Sequence, residues 1–116
     1  KVIAELRNLR LKYPKLQLLD GMLNVYATPP QNPEECVFAQ TTECYSSDFE
    51  HTITPCQFGG NPDCTNCGCI ASAGLEAIAR HRLKGGIPVG KIFYASVAVG
   101  KAVGRLRGTG APVRKA

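Results

Sequence analysis

Six cysteines, Cys36, Cys44, Cys56, Cys64, Cys67 and Cys69, all lie between positions 36 and 69 of a 116-residue chain and end in the run Cys64-Thr-Asn-Cys67-Gly-Cys69. Thiolates are the preferred ligands of soft metal centres, and a C-x2-C turn aims two sulfurs at one centre while the amides between them face those sulfurs. Four ligands make a site and six thiols are present, so two are expected to pack as small buried hydrophobes. An iron-sulfur centre is the leading reading. A structural zinc site comes second, because only one C-x2-C knuckle is present and His51 and His81 do not stand at finger spacing from it. A disulfide framework comes third: Cys64, Cys67 and Cys69 are too close in sequence for more than one local cross-link.

The elements around these residues follow from periodicity and punctuation. Cys56 is separated from Cys64 by Gln-Phe-Gly-Gly-Asn-Pro-Asp, in which Gly59, Gly60 and Pro62 allow sharp turns around a bulky centre. Upstream, Thr41, Thr42, Tyr45 and then Thr52, Ile53, Thr54 form two β-prone runs around Ser-Ser-Asp-Phe-Glu, which predicts a hairpin with Cys44 mid-strand, ended by Pro55 so that Cys56 leaves the sheet edge. Downstream, Ile70 to Leu83 predicts a helix with Ile70, Ala73, Ala77 and Ile78 on its apolar side and Arg80, His81 and Arg82 near its end, stopped by Lys84-Gly85-Gly86.

Flanking segments complete a small α+β plan, a short hairpin and a cysteine-rich metal-binding loop between helices. Val2, Leu6, Leu9 and Tyr13 recur at helical spacing before Pro14. Leu16, Leu18 and Leu19 read as a short strand packed in the core, and Met22 to Ala27 as a brief helix. A second long helix is expected from Pro88 to about Arg107, with Gly108 as its stop; Gly100 and Gly104 would permit a close helix approach, and the residues from Thr109 read as disordered. His51 and His81, Asp48 and Glu50 read as surface groups rather than a catalytic set, and Gly85-Gly86 follows a helix, so no nucleotide loop is indicated.

The net charge of +5 hides an asymmetry: residues 1–76 hold 5 Lys/Arg against 9 Asp/Glu, and residues 77–116 hold 9 Lys/Arg and no acid. A solvated helix face is the plainest account of that tail. An acidic partner, an anionic surface or a neighbouring domain would also suit it. Nucleic acid is not expected, since only Phe93 and Tyr94 offer rings there. The longest charge-free stretch of the tail, Ile92 to Gly100, is far short of the roughly 20 residues of a membrane span. The chain opens on Lys1 with a charged amphipathic pattern, which reads as the continuation of a longer chain rather than as a leader.

A cysteine at position 36, a hairpin, Thr54-Pro55-Cys56, and then Cys64-x2-Cys67 followed by a helix resemble the twitch and SPASM auxiliary-cluster domains that follow the barrel of radical S-adenosylmethionine enzymes. The likeness covers about residues 33–80. It implies a 4Fe-4S cluster held by Cys36, Cys56, Cys64 and Cys67, with Cys44 or Cys69 as substitutes, and a single, twitch-like cluster, because no cysteine follows Cys69. Residues 1–32 would then be the last helix-strand-helix of a barrel, 33–83 the cluster domain, and 84–116 a basic helix and tail. The C-x3-C-x2-C motif that binds S-adenosylmethionine is absent, so the cofactor and its barrel would belong to a missing N-terminal part. The implied role is accessory and not catalytic alone: electron relay from a donor protein, or substrate positioning, in a cytoplasmic oxidoreductase.

Overall fold

The helix that follows the last cysteine organises the molecule. In the computed structural model, which describes residues 1–108 and the short strand 114–115, α4 (Ile70–Arg80) packs against α2 (Asp20–Ala27), α3 (Val37–Thr41) and α5 (Val89–Arg107). The remaining helix, α1 (Val2–Lys12), lies on α2. Two short antiparallel strands, β1 (Cys44–Tyr45) and β2 (His51–Ile53), pair Cys44 with Ile53 and Tyr45 with Thr52. The backbone of Arg114–Lys115 adds β3 parallel to β2. Five helices beside a small sheet, with a cysteine-bearing loop between them, make an α+β fold. No helix among the described residues is long and apolar enough to cross a membrane.

The core is small. Met22, Val25 and Ala73 are buried together, with Tyr26 and Ala77 packed against them, and Leu23 is fully enclosed. Close helix approach makes this possible: a Cβ on Gly21 would meet the Ala77 Cβ at 3.2 Å, and one on Gly90 would meet the Ala79 Cβ at 3.2 Å and its carbonyl oxygen at 3.3 Å. The small-residue contact of α5 thus falls at Gly90. Gly100, where the sequence suggested a close approach, has open space around its Cβ position.

Several boundaries differ from expectation. Leu16, Leu18 and Leu19 form no strand and no core: Leu16 and Leu19 are exposed, and the segment has no neighbouring strand to pair with. Its extended end serves instead as the N-terminal boundary of α2, which starts at Asp20. Thr41 belongs to α3 rather than to a strand, with its hydroxyl returned to the Val37 carbonyl at 2.6 Å. Cys44 therefore opens β1 instead of sitting mid-strand. In the hairpin turn, where no glycine is present, Phe49 takes the left-handed conformation (φ 60°) and donates its N–H to the Ser46 carbonyl at 2.9 Å.

α4 ends at Arg80, ahead of the glycine pair, because the His81 carbonyl accepts the Val89 N–H and the Leu83 N–H bonds the Ile87 carbonyl. Its buried stripe is Ser72, Ala73, Glu76 and Ala79, rotated by roughly a third of a turn from the apolar side read in the sequence. Ile70 and Ile78 are exposed as a result. The two polar residues are buried because they have partners. Glu76 accepts from Arg80 Nε at 2.9 Å and from the Val37 N–H at 3.3 Å, and Ser72 lies 3.3 Å from the Cys36 sulfur. Arg80 goes on to bond Thr28 at its hydroxyl and carbonyl, tying α4 to the end of α2. The α5 boundaries match the expected ones, Pro88 preceding the first turn and Gly108 closing the helix at φ 63°. The expectation of disorder from Thr109 onward lies outside the described residues except at 114–115, which pair as strand.

Candidate metal centre

Five of the six thiols line one cavity. Cys36, Cys56, Cys64, Cys67 and Cys69 line a volume of about 430 Å³ together with the apolar Phe38, Phe58 and Pro30. All six cysteines are free and half-buried. Cys44 is not among the lining residues; its place in β1 turns the chain away from the others.

Each lining cysteine is delivered by a different local device. Cys36 sits at the N-terminal boundary of α3 in extended conformation, its N–H bonded to Pro33, and its sulfur meets Ser72 on α4. Cys56 follows the end of β2, and its carbonyl accepts the Gly59 N–H at 2.8 Å. Gly59 and Gly60 both have positive φ (62° and 53°), a conformation that lets the chain double back toward Cys64 and that side chains disfavour. Cys64 to Asn66 forms a single 3-10 turn, with the Cys67 N–H closing on the Cys64 carbonyl at 3.2 Å. That turn brings Cys64 and Cys67 to the same wall.

Asp63 shapes the turn. Its carboxylate accepts from the Asn66 side chain at 2.8 Å, the Thr65 hydroxyl at 2.7 Å and the Asn66 N–H at 3.3 Å, and these bonds hold it below the usual carboxylate range. The Asn66 N–H, which the sequence suggested as a donor to a bound sulfur, is therefore engaged by Asp63. Cys69 is also committed: as the N-terminal cap of α4 its sulfur accepts the Ser72 N–H at 3.4 Å, and Gln57 Nε2 reaches the same sulfur at 3.1 Å. Cys36 stands at the cap position of α3, but its sulfur makes no capping bond and meets the Ser72 hydroxyl instead.

Burial pushes the Cys64 thiol up, and Cys36, Cys56 and Cys67, which together with it are the four cysteines singled out above, push it further. The Tyr26 hydroxyl is raised by burial and then by Cys69 and Cys67. The thiols are near one another without being collapsed. Among the described residues the one group of three candidate ligand atoms within 4.8 Å of each other is Asp48, Glu50 and His51, at the exposed hairpin turn. There the Asp48 carboxylate is already taken by the Ser46 hydroxyl and the Glu50 N–H. Four thiolates on a single zinc at about 2.3 Å would stand only about 3.8 Å apart. No three of the lining cysteine sulfurs are grouped within 4.8 Å among the described residues.

Comparison with protein families, with curated proteins and with solved structures gave no match to this chain. Sequence reasoning did not anticipate Asp63 as the organiser of the turn, Ser72 as the partner of Cys36, or the capping role of Cys69. The Asp63-x2-Asn66 spacing was the available signal, since an Asp ahead of a short turn accepts backbone N–H groups two and three residues on.

Proposed function

We propose that this chain is an auxiliary iron-sulfur module in which Cys36, Cys56, Cys64 and Cys67 hold one 4Fe-4S cluster. The observation that carries the reading is one cavity walled by five free thiols from separate elements, no three of them grouped within 4.8 Å among the described residues. Thiolates at the corners of a cubane stand apart by the width of the cluster, so a ring of separated thiols suits it better than it suits zinc. The Cys-Gly-Cys end of the run supports a division of labour: Cys67 and Cys69 both line the cavity, and the Cys69 sulfur is already engaged as the cap of α4.

The resemblance of the cysteine order to auxiliary domains of radical S-adenosylmethionine enzymes supports a place beside such a barrel, in the same chain. There the group would supply one-electron relay, fed by an electron-donor protein, or would hold substrate near the barrel mouth. The chain's own contribution is to fix four sulfurs and to surround them with Phe38, Phe58 and prolines that limit water. Anaerobic purification followed by iron, sulfide and zinc quantification, with a spectrum before and after dithionite, tests the reading. About four iron and four sulfide per chain and a chromophore that bleaches are expected. About one zinc and no sulfide, from iron-replete cells, would overturn it in favour of a zinc-stabilised binding module.

A further inference from the structure

α5 buries one side only. Gly90 is its single buried residue, and Phe93, Val97 and Gly104 on the same side are half-buried toward α4 and α3. The opposite side is equally apolar yet exposed: Ile92, Ala95, Val99, Ala102 and Leu106 recur at alternating three- and four-residue steps, the a and d positions of two heptads. Ile92 is 48% exposed, Val99 62% and Leu106 88%. A helix apolar on two faces is normally covered on both.

The charges say what kind of surface covers it. Lys91 and Arg105 occupy the g positions on one flank of the stripe and Arg107 lies on the other, α5 contains no acid, and none of these three cations joins a salt bridge among the described residues. A second copy laid antiparallel on the stripe would set Lys91 against Arg105, like charge against like. A membrane is a poor fit as well, because alanine at two of the five seam positions offers little apolar bulk to insert, whereas it lets a helix backbone come close.

We propose that the Ile92–Leu106 stripe is a docking seam for one amphipathic helix of acidic flanks, contributed by another polypeptide. Leucine or isoleucine knobs of the partner would sit over Ala95 and Ala102, and its glutamates would face Lys91 and Arg105. This surface is separate from the cysteine cavity and does not depend on what that cavity holds.

The probe is a synthetic 21-residue helical peptide with leucine at a and d and glutamate at e and g, titrated calorimetrically into the purified chain, alongside a twin carrying lysine in place of glutamate. One-to-one binding of the glutamate peptide is expected, weakened at least about tenfold by Val99→Glu, an exposed position whose substitution leaves the helical circular dichroism unchanged. The double variant Lys91→Glu/Arg105→Glu should reverse the preference and take the lysine peptide. Equal binding of both peptides, or of neither, overturns the proposal. So does sedimentation showing a dimer of the chain itself that Val99→Glu dissociates, or binding to vesicles of phosphatidylglycerol and phosphatidylcholine without binding to the peptide.

Discussion

Residues 16–79 hold eight acids and no lysine or arginine, whereas residues 80–116 hold nine lysines and arginines and no acid. The two regions are also built differently. The acidic region is a series of short elements joined by turns, each held by a side chain that bonds backbone: Asp63 at the 3-10 turn, Cys69 at the start of α4, Glu76 on the N–H of Val37. The basic region is mostly one nineteen-residue helix whose hydrogen bonds are its own. A shape fixed by individual side chains is vulnerable at single atoms, and a shape fixed by helical backbone is not. Arg80, at the boundary, joins the two through Glu76 and Thr28.

The contrast is sharpest at the thiols. Cys64→Ser is expected to reduce bound iron from about four per chain to near none, while Cys44→Ser, outside the cavity, leaves it unchanged; iron and sulfide assays on the two purified variants decide this. If both variants lose iron alike, the ligand set is not Cys36, Cys56, Cys64 and Cys67. Next in size is Glu76→Ala, which strips the Val37 N–H and Arg80 of their shared acceptor and should cost about 1–3 kcal/mol in urea unfolding. Gly90→Val should cost about the same, because its Cβ would crowd the Ala79 Cβ at 3.2 Å and carbonyl oxygen at 3.3 Å and its methyls would add to the clash.

Ten residues along the same helix, Gly100→Ala meets open space and should stabilise the chain by about 0.5–1 kcal/mol. Opposite signs at Gly90 and Gly100 would establish that α5 packs through its first turn. In the metal-free protein, the raised Cys64 thiol holds less thiolate at a given pH, so iodoacetamide should label it more slowly than glutathione at pH 8, with the gap narrowing as pH rises; peptide mass spectrometry reads the ratio.

The helix ends were legible where local chemistry decides them. Pro14, Pro88 and Gly108 punctuate α1 and α5 within a residue of the expected positions. What escaped was decided at a distance. Five residues are too few for α3 to show a period, and Leu16 and Leu19 carry the composition of a strand without a neighbour to pair with. The buried stripe of α4 contains Ser72 and Glu76, polar residues that only their partners, Cys36 and Arg80 with Val37, make acceptable inside. The cysteine cavity was legible as a cluster of thiols. The separate role of Cys69 was not, because cap and ligand are written with the same residue.

The bonds from Asp63 to Thr65 and Asn66 require nothing but the chain itself. The order that most thiol sites acquire only upon loading is therefore present in this turn beforehand, and its entropic cost falls on folding rather than on capture. Because its carboxylate stays ionised well into acid, that readiness should outlast a fall in pH that leaves exposed carboxylates protonated. On the proposed reading, Cys64 and Cys67 would be held on their turn by Asp63 before anything binds between them.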